Sequence, residues 1–243
     1  MYIREGKNLT FDYGANPVLC GLNLSLPVGI TGLVGPNGAG KTTALKILAG
    51  VTKPKDGHIF HKEKQIRTSR DYSVLRKKTG FLPQNPTWTT TTSISDFVEY
   101  CYRMNGGKGN PKLAVERALT KTNTLSLRDR MIGKISGGER RRAFLAGAIV
   151  HSPEVLILDE PSVGLDPEQR IEFRKMLAEL KNETAILIST HIIEDLRGIS
   201  SNLVVINHGK QLWSGSIDKL ASLGNSSEDV SDLEAGYLHV LGN

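Results

Sequence analysis

Residues 35–42 read G-P-N-G-A-G-K-T, which fits the phosphate-binding pattern G-x-x-x-x-G-K-[ST]. Glycines in this pattern lack a Cβ, so the backbone can curl and direct successive N–H groups at an anion. Lys41 adds a positive charge able to reach the β- and γ-phosphates of a nucleotide, and the Thr42 hydroxyl suits a bridging Mg²⁺ ion. The residues predicted to contact the phosphates are Gly35, Pro36, Asn37, Gly38, Ala39, Gly40, Lys41, Thr42 and Thr43.

The sequence on either side of this loop predicts a strand before it and a helix after it. Residues 30–34 form an apolar run typical of a buried strand, and residues 42–48 follow as a helix. The positive N-terminal end of that helix would face the phosphates. The alternative is a glycine-rich turn before an ordinary helix, and this context disfavours it.

A pair of acids, Asp159 and Glu160, follows the apolar run 155–158 and precedes Pro161. Ligands of parallel α/β sheets bind at the carboxyl ends of strands, which predicts that these acids lie beside the phosphate loop. Asp159 is predicted to hold Mg²⁺ directly or through water, and Glu160 to orient and deprotonate the water that attacks the γ-phosphate. Two acids at a solvated strand end are the alternative interpretation.

Gln84 and His191 are further polar candidates for the same site. Gln84 lies in an irregular loop bracketed by Pro83 and Pro86, and its amide is able to contact Mg²⁺ or the attacking water. His191 follows the apolar run 186–189 and is able to donate a hydrogen bond to the γ-phosphate. Neither residue is distinctive alone, because a loop histidine ordinarily makes a structural hydrogen bond.

Residues 136–139, Ser-Gly-Gly-Glu, have the form of a capping box at the start of a helix. Two glycines in a first helical turn cost about 1 kcal/mol each relative to alanine, so a purely structural cap does not favour them. Backbone N–H groups that must touch a phosphate explain them better. Because the segment is distant from Lys41 in sequence, we expect it to serve a nucleotide other than the one its own chain holds, through Ser136, Gly137, Gly138 and Glu139.

Strands alternating with helices predict an α/β fold with a mainly parallel sheet flanked by helices. Residues 1–30 alternate in hydrophobicity and predict a small antiparallel N-terminal sheet. Residues 86–135 show helical periodicity and no strand pattern, which predicts an α-helical insertion. The predicted division is a core of residues 1–85 and 136–224, a helical subdomain of residues 86–135, and a tail of residues 225–243 that begins as a mobile Ser- and acid-rich stretch.

The composition is typical of a soluble, cytosolic protein. Hydrophobic residues make up 39% of the chain, and no run approaches the ~18 consecutive apolar residues that a membrane span needs. The net charge of +6 is modest and scattered, which favours a solvated surface over a nucleic-acid partner, and the basic run 140–142 is interpreted as the exposed side of a helix start. Cys20 and Cys101 lack metal-binding spacing and are predicted to be reduced, buried thiols, and Trp88 is predicted to be exposed.

Taken in order, these motifs resemble those of the nucleotide-binding subunits of ATP-binding cassette (ABC) transporters, over nearly the whole chain. Residues 135–139 resemble the family's L-S-G-G-Q signature, and residues 164–166 resemble its G-L-D segment, which ends at Asp166. Tyr13 stands where the family has an aromatic residue that stacks on adenine. Tyr13 alone is equally well explained as a core aromatic beside a turn, and the resemblance favours stacking. The chain departs from the family at Glu139, which replaces Gln, and at Ser162, which replaces Thr.

The resemblance implies a P-loop NTPase fold with a RecA-like ATP-binding core. It also implies an ATPase that dimerises around two Mg-ATP, with the phosphate loop of one cassette and the signature of a second, identical or different, clamping each nucleotide. Catalysis would involve Glu160, His191, Gln84 and Lys41, and the metal would be held by Thr42, Gln84 and Asp159. A separate transmembrane permease is the implied partner, which would keep the chain on the inner face of the cell membrane, and no nucleic acid is expected.

Residues 166–168 and 189–195 resemble export-type subunits of bacterial drug, peptide or lipid exporters. Two other classes are possible on the motifs alone. A soluble cassette ATPase acting on ribosomes or DNA shares every motif, but such proteins usually have two cassettes or a long heptad-patterned arm, and this sequence has neither. A small-molecule kinase or GTPase leaves the glycines after Ser136 unexplained, and no N-K-x-D segment occurs.

Overall fold

The computed structural model describes residues 1–224 and 230–242, and within them it contains ten strands and eight α-helices. In chain order the strands are β1 (Arg4–Tyr13), β2 (Asn16–Leu26), β3 (Gly29–Val34), β4 (Asp56–His61), β5 (Lys64–Ile66), β6 (Thr79–Leu82), β7 (Val155–Asp159), β8 (Ala185–Thr190), β9 (Asn202–Asn207) and β10 (Lys210–Ser216). The helices are α1 (Lys41–Leu48), α2 (Ser69–Lys77), α3 (Ile94–Met104), α4 (Pro111–Lys121), α5 (Gly137–Ile149), α6 (Pro167–Leu180), α7 (Ile217–Ala221) and α8 (Asp232–Leu241).

The strands form two sheets. An antiparallel sheet has the order β2-β1-β4-β5, and a six-stranded sheet has the order β10-β9-β3-β8-β7-β6. Neighbours in the larger sheet run parallel except for β10, which pairs antiparallel with β9. The predicted α/β class and antiparallel N-terminal sheet are confirmed. The sequence did not predict β10, because this edge strand is largely polar and carries no buried apolar run.

The central strands are buried on both faces, which explains their continuous apolar sequences. Leu156 and Leu158 of β7 belong to a cluster that includes residues of α5 and α6. Val155 and Ile157, on the other face of the same strand, pack in a cluster with α1 and the antiparallel sheet. This double coverage is typical of parallel sheets and leaves the carboxyl ends of the strands open for a site.

The helices begin at the capping signals that the sequence contains. Asn110 accepts a hydrogen bond from the N–H of Lys112 at the start of α4, and Asp166 accepts one from the N–H of Gln169 at the start of α6. In both helices proline follows the cap, where its missing N–H costs nothing. The helix after the phosphate loop begins at Lys41, one residue earlier than predicted.

Three predictions about side-chain exposure were wrong. Trp88 is half-buried, because its indole packs 5.0 Å from the Phe97 ring and 4.9 Å from the Tyr100 ring, centroid to centroid, on amphipathic α3. Cys20 and Cys101 are free thiols, as predicted, but each is only partly buried. Burial nevertheless raises the pKa of the Cys101 thiol to about 11, so it is protonated at neutral pH.

The predicted tail, residues 225–243, contains the helix α8. Ser231 caps α8, and Leu233 is buried in the main core. Residues 225–229, which belong to the predicted mobile stretch, lie outside the described residues. None of the described helices combines the length and the apolar character needed to cross a membrane.

A buried polar network joins the antiparallel sheet to the core. Arg4 is fully buried and donates to the Leu48 carbonyl, to Thr79 Oγ1 at 3.1 Å and to Nδ1 of His61 at 3.3 Å. The Nε2 of His61 lies 3.1 Å from Oε2 of Glu154. Burial and the charge of Arg4 lower the pKa of His61 to about 4, so His61 is neutral in the folded protein at neutral pH.

We expect this histidine to make the protein less stable in mild acid. Unfolded His61 takes up a proton near pH 6.5, whereas folded His61 does so only near pH 4, so stability is lost as the pH falls between these values. The expected loss in the free energy of unfolding between pH 7 and pH 5 is about 2 kcal/mol. The carboxylate of Glu154 is partly desolvated, but its contacts with Lys62 and Lys78 lower its pKa to about 2. Glu154 therefore changes the free energy of unfolding only at lower pH.

Urea unfolding at pH 7 and pH 5 tests this expectation. His61→Gln keeps an acceptor and a donor but does not titrate, so its loss of stability between the two pH values is expected to be much smaller than in the parent. His58→Gln removes an exposed histidine from the same strand and serves as the matched control. Equal pH dependence in the parent and His61→Gln contradicts the assignment.

Candidate nucleotide site

The phosphate loop, the two acids and the histidine lie at the carboxyl ends of neighbouring strands. β3 leads into the loop, β7 ends at Asp159, and β8 ends at Thr190, immediately before His191. β8 lies between β3 and β7, with Val34 in register with Thr190 and Asp159 in register with Ser189. Because parallel strands present their carboxyl ends at one edge, strand pairing alone brings these residues together.

Two positions in the phosphate loop require glycine. A Cβ at Gly35 would lie 2.3 Å from the carbonyl oxygen of Ile206, which is backbone and cannot move aside. Gly40 has a φ of 101°, and a Cβ there would lie 2.8 Å from the carbonyl oxygen of Val18. Larger residues are therefore excluded by close backbone approach at Gly35 and by both conformation and space at Gly40.

The Lys41 ammonium is held inside the loop. Its Nζ donates to the carbonyls of Gly35 at 2.7 Å and Pro36 at 3.1 Å, and lies 3.7 Å from Oε1 of Glu160. Burial lowers the pKa of Lys41, and the carboxylates of Glu160 and Asp159 oppose that shift. A positive charge is thus placed between the phosphate loop and the acid pair.

Asp159 connects the phosphate loop to β8. Its Oδ2 accepts a hydrogen bond from Thr42 Oγ1 at 2.9 Å, and its Oδ1 accepts one from Ser189 Oγ at 2.6 Å. The Ser189 hydroxyl also accepts the N–H of Glu160 at 3.0 Å. Ser189, which the sequence analysis did not single out, therefore orients both acids. Its only sequence signal is its position at the end of an apolar run, because the structure alone shows that this strand pairs with the strand of Asp159.

The Glu160 side chain is buried between Lys41 and His191. Its Oε2 lies 2.9 Å from Nδ1 of His191, and the residue is 5% exposed. Its φ of 47° is in the left-handed region, which costs a residue with a Cβ roughly 1–2 kcal/mol. Such strained positions occur preferentially at functional sites.

A cavity of about 350 Å³ lies over the phosphate loop. Gln84 and Glu160 face this cavity together with the loop, so the structure brings both side chains close to the phosphate loop. A larger cavity, of about 530 Å³, lies at the amino end of β3 beside Arg197, so cavity size alone does not identify the site. The remaining lining residues of the smaller cavity are Val18, Asn37, Gly38, Ala39, Gly40, Lys41, Thr42 and Thr43.

Tyr13 and residues 136–139, all within the described part of the chain, are not among the residues that line this cavity. Tyr13 ends β1, is 57% exposed and packs edge-on against Phe11, with ring centroids 5.0 Å apart. Its hairpin reaches the phosphate loop through Val18, which abuts Gly40. In a single chain, therefore, these two predicted contacts lie outside the cavity over the loop.

The capping box at Ser136 is confirmed. Ser136 Oγ accepts the N–H of Glu139 at 3.2 Å, and Glu139 Oε2 accepts the N–H of Ser136 at 2.7 Å. The hydrogen bond from the Ser136 backbone lowers the pKa of Glu139, so its carboxylate is ionised at neutral pH. The replacement of the family's Gln by Glu139 thus provides a charged cap for α5.

The two glycines after Ser136 have different surroundings. A Cβ at Gly138 would lie 2.5 Å from Oε1 of Gln169, which is the far end of a flexible side chain and can move aside. A Cβ at Gly137 would meet no described atom within 4 Å. Gly137 is exposed whereas Gly138 is buried, so Gly137 offers the open backbone surface that a phosphate contact needs.

The interpretation of residues 140–142 as an exposed face was wrong for two of the three. Arg140 is exposed, but Arg141 is 8% exposed and donates to backbone carbonyls around the acid pair. Arg142 pairs with Glu172 of α6, with Nη1 and Oε2 2.9 Å apart. Three consecutive helical residues span most of the circumference of a helix, so the run could not lie on one face.

The oxygen atoms of Thr42 and Asp159 suit a Mg²⁺ ion. Mg²⁺ usually binds one or two protein oxygens and completes its shell with substrate phosphates and water. The Thr42 hydroxyl and the Asp159 carboxylate lie 2.9 Å apart at the mouth of the loop. Among the described residues no cluster of three or more His, Cys, Asp or Glu side chains is placed to hold a metal ion.

The fold and the site define a P-loop nucleoside triphosphatase. The family model for ABC transporters matches residues 19–163, which is more than half of the chain. The chain therefore belongs to the ABC transporter family, and it is an ATP-hydrolysing cassette of that family.

Individual relatives agree with this assignment. The ABC transporter ATP-binding protein YxlF of Bacillus subtilis is 34% identical over 77% of this chain, and the match spans 62% of YxlF. The bacitracin transport ATP-binding protein BcrA of Enterococcus faecalis is 33% identical, covering 95% of this chain and 75% of BcrA. The solved structure of cbiO1 from Clostridium perfringens, part of the cbiONQ ABC transporter complex, has a TM-score of 0.82 at 29% identity and covers 91% of each chain.

Proposed function

We propose that this chain binds Mg-ATP at the phosphate loop, pairs with a second cassette around the nucleotide and drives a separate transmembrane permease. The observation that carries the proposal is the arrangement of Glu160. Its carboxylate is buried between Lys41 and His191 and borders the cavity over the loop. Glu160 also directly follows Asp159, which together with Thr42 suits Mg²⁺.

The arrangement supports hydrolysis with Glu160 as the base. Lys41 would exchange its 3.7 Å contact with Glu160 for the β- and γ-phosphates, which leaves the carboxylate free to accept a proton. The water oxygen bonds to the γ-phosphorus as the bond to the β–γ bridging oxygen breaks, giving ADP and phosphate. His191 orients the carboxylate through Nδ1. Mg²⁺, held by Thr42 and Asp159 with Gln84 nearby, would neutralise charge on the phosphate oxygens.

We place the adenine beside Tyr13. The tyrosine is more than half exposed at the end of β1, so its ring is available for stacking. The following strand reaches the phosphate loop at Val18, which connects the hairpin to the end of the site where a nucleotide would leave the loop.

The second cassette would supply the remaining contacts through Ser136, Gly137 and its neighbours. These residues lie at an exposed helix N-terminus, where free N–H groups and the helix dipole favour an anion. Because the segment does not line the cavity of its own chain, a nucleotide bound at the loop gains these contacts only from a partner. ATP then favours the dimer, since only the dimer completes its shell.

Gly137→Ala tests the shared site. An added methyl group meets no described atom, so the nucleotide-free variant is expected to fold and to gain up to about 1 kcal/mol in unfolding free energy from better helix propensity. The same methyl group would separate the helix tip from a partner's phosphate. In a Glu160→Gln background we therefore expect ATP-dependent dimerisation, measured by sedimentation, to weaken at least about 10-fold.

The two readouts separate the explanations. A variant that dimerises with ATP as well as its parent would rule out phosphate contact at Gly137. A variant that loses dimerisation together with stability would show only a damaged helix.

The permease is proposed to dock beside the Gln84 loop. A groove of about 440 Å³ there is lined by apolar side chains that include Phe81, Phe97 and Phe144. Tyr100 and Met104 of α3 add exposed apolar surface, at 48% and 63% exposure. An apolar segment of a membrane subunit fits this surface, and the membrane protein that co-purifies with the chain would identify that subunit.

Export of a drug, peptide or lipid-like molecule is the transport activity we propose, with the cassette on the inner face of the membrane. The name of the lipopolysaccharide export system ATP-binding protein LptB of Acidithiobacillus ferridurans supports that direction, whereas the name of BcrA gives bacitracin transport without a direction. The Fe(3+) ions import protein FbpC of Escherichia coli is 33% identical over 98% of this chain, so the direction rests on the local motifs at 166–168 and 189–195.

A further inference from the structure

Arg141 of α5 is a buried cation whose partners are backbone carbonyls. Its Nη1 donates to Gln84 at 2.8 Å and to Pro83 at 3.3 Å. Its Nη2 donates to Glu160 at 2.7 Å and to Asp159 at 3.2 Å. Its Nε donates to Pro161 at 2.9 Å. The guanidinium thus connects the loop at Gln84 to the turn that carries the acid pair.

Such a buried charge is costly unless its donors are well satisfied. Burial lowers the pKa of Arg141 to about 10, with Asp159 and Glu160 opposing the shift, so the residue remains charged at neutral pH. A neutral side chain could fill the same space at lower cost. The fixed fork of five N–H donors is what an arginine offers here, because it can hold two separate backbone segments in one geometry.

The turn that Arg141 contacts is strained. Glu160 has a left-handed φ of 47°, and its peptide groups are held from two sides. Ser189 Oγ accepts the Glu160 N–H at 3.0 Å, and Arg141 Nη2 binds the Glu160 carbonyl at 2.7 Å. Removing the second contact would leave the residue's backbone free to relax, which would move its carboxylate.

The loop at the other end of the contact leads to the proposed docking surface. Pro83 and Gln84 follow β6, and the chain continues to Trp88, which packs on α3. Gln84 also borders the nucleotide cavity. A displacement of this loop therefore changes the acceptors that fix one side of the guanidinium.

We propose that Arg141 is a positioning residue that couples the loop at Gln84 to the orientation of the Glu160 carboxylate. The inference rests on the proposed roles of Glu160 in hydrolysis and of the Gln84 loop in docking. Because α5 begins at Gly137, the same helix also carries the segment proposed to contact the partner's nucleotide. Arg141 thereby connects the loop at Gln84, the turn at Glu160 and the helix that begins at Gly137.

Steady-state ATPase kinetics on the full chain test the positioning role. Arg141→Gln keeps a donor but loses the fork, and we expect kcat per ATP-binding site to fall about 10- to 100-fold with KM within about threefold of the parent, because small misplacement of a catalytic group is costly. Arg141→Lys keeps the charge and should fall between. Arg117→Gln makes the same change at an exposed position of α4, away from the proposed site, and should match the parent.

Trp88 fluorescence in a Trp213→Phe background tests the coupling itself. Mg-ATP is expected to shift the Trp88 emission of the parent, and Arg141→Gln is expected to abolish that shift while ATP still binds by equilibrium dialysis. A purely structural role would instead lower the melting temperature and the number of ATP-binding sites. The sites that remain would then hydrolyse ATP at the parental kcat and show the parental shift in Trp88 emission. That result overturns the inference, and so does a parent protein whose Trp88 emission does not change when Mg-ATP is added.

Glu160→Gln measured beside these variants distinguishes the two proposals. If Glu160→Gln hydrolyses ATP at the parental rate, the proposed mechanism fails. If Glu160→Gln is inactive while Arg141→Gln retains both turnover and the Trp88 response, only the coupling inference fails.

Discussion

Glu160→Gln is expected to lower the rate of ATP hydrolysis by about 100- to 10,000-fold, the range over which a positioned general base contributes. The amide has nearly the same shape as the carboxylate but cannot accept a proton. Its contact with His191 survives, because the imidazole can change tautomer and accept from the amide N–H. Lys41 loses a competing carboxylate 3.7 Å away, so ATP affinity is expected to be retained or increased.

The variant should therefore bind Mg-ATP and remain dimeric, which sedimentation with and without the nucleotide measures alongside phosphate release. Glu179→Gln makes the same substitution at an exposed position of α6 and should leave both measurements unchanged. Parental turnover in Glu160→Gln would exclude Glu160 as the base. A strictly monomeric Mg-ATP complex would instead exclude the shared site.

Much of the fold follows from local signals in the sequence. The apolar run of β7 and that of β8 predicted buried parallel strands, and the caps at Asn110 and Asp166 predicted helix starts, because these signals act within a few residues. β10 shows the limit. An edge strand needs no apolar face, since its pairing with β9 supplies the stabilisation, so its polar sequence resembles a loop.

The candidate site was predictable where its residues follow a motif and unpredictable where they depend on strand order. Lys41, Thr42 and the acid pair are fixed by spacing along the chain. Ser189 orients both acids only because β8 pairs with β7, a fact that local sequence does not contain. Strand order in a parallel sheet is a property of the whole topology.

Packing against other elements explains the remaining wrong predictions about side-chain exposure. In the sequence, Arg141 resembles a surface charge. In the structure, α5 lies over the ends of β6 and β7, and five backbone carbonyls converge on the Arg141 side chain. Trp88 was expected to be exposed, but aromatic partners on α3 bury its face. The acceptors of Arg141 lie between 18 and 58 residues away in sequence, and the aromatic partners of Trp88 lie on the next helix, so the local sequence around each residue does not show them.

Lys41→Ala is expected to weaken ATP binding about 10- to 100-fold, which corresponds to the loss of a hydrogen bond to a charged group. The structure gives this change three effects. It removes the cation that would meet the β- and γ-phosphates, and it leaves the carbonyls of Gly35 and Pro36 without their donor. It also leaves the buried Glu160 carboxylate facing the bound phosphates without an intervening positive charge.

Titration calorimetry with ATP and with AMP separates these effects. AMP lacks the phosphates that Lys41 would contact, so a loss confined to ATP shows a direct electrostatic role, whereas equal losses for both nucleotides show a collapsed loop and contradict the assignment. Lys46→Ala removes a lysine from the same helix, outside the residues that line the cavity, and should bind ATP as the parent does. Lys41→Met fills more of the space that alanine leaves empty, and because it restores volume without charge, it is expected to bind ATP as weakly as Lys41→Ala.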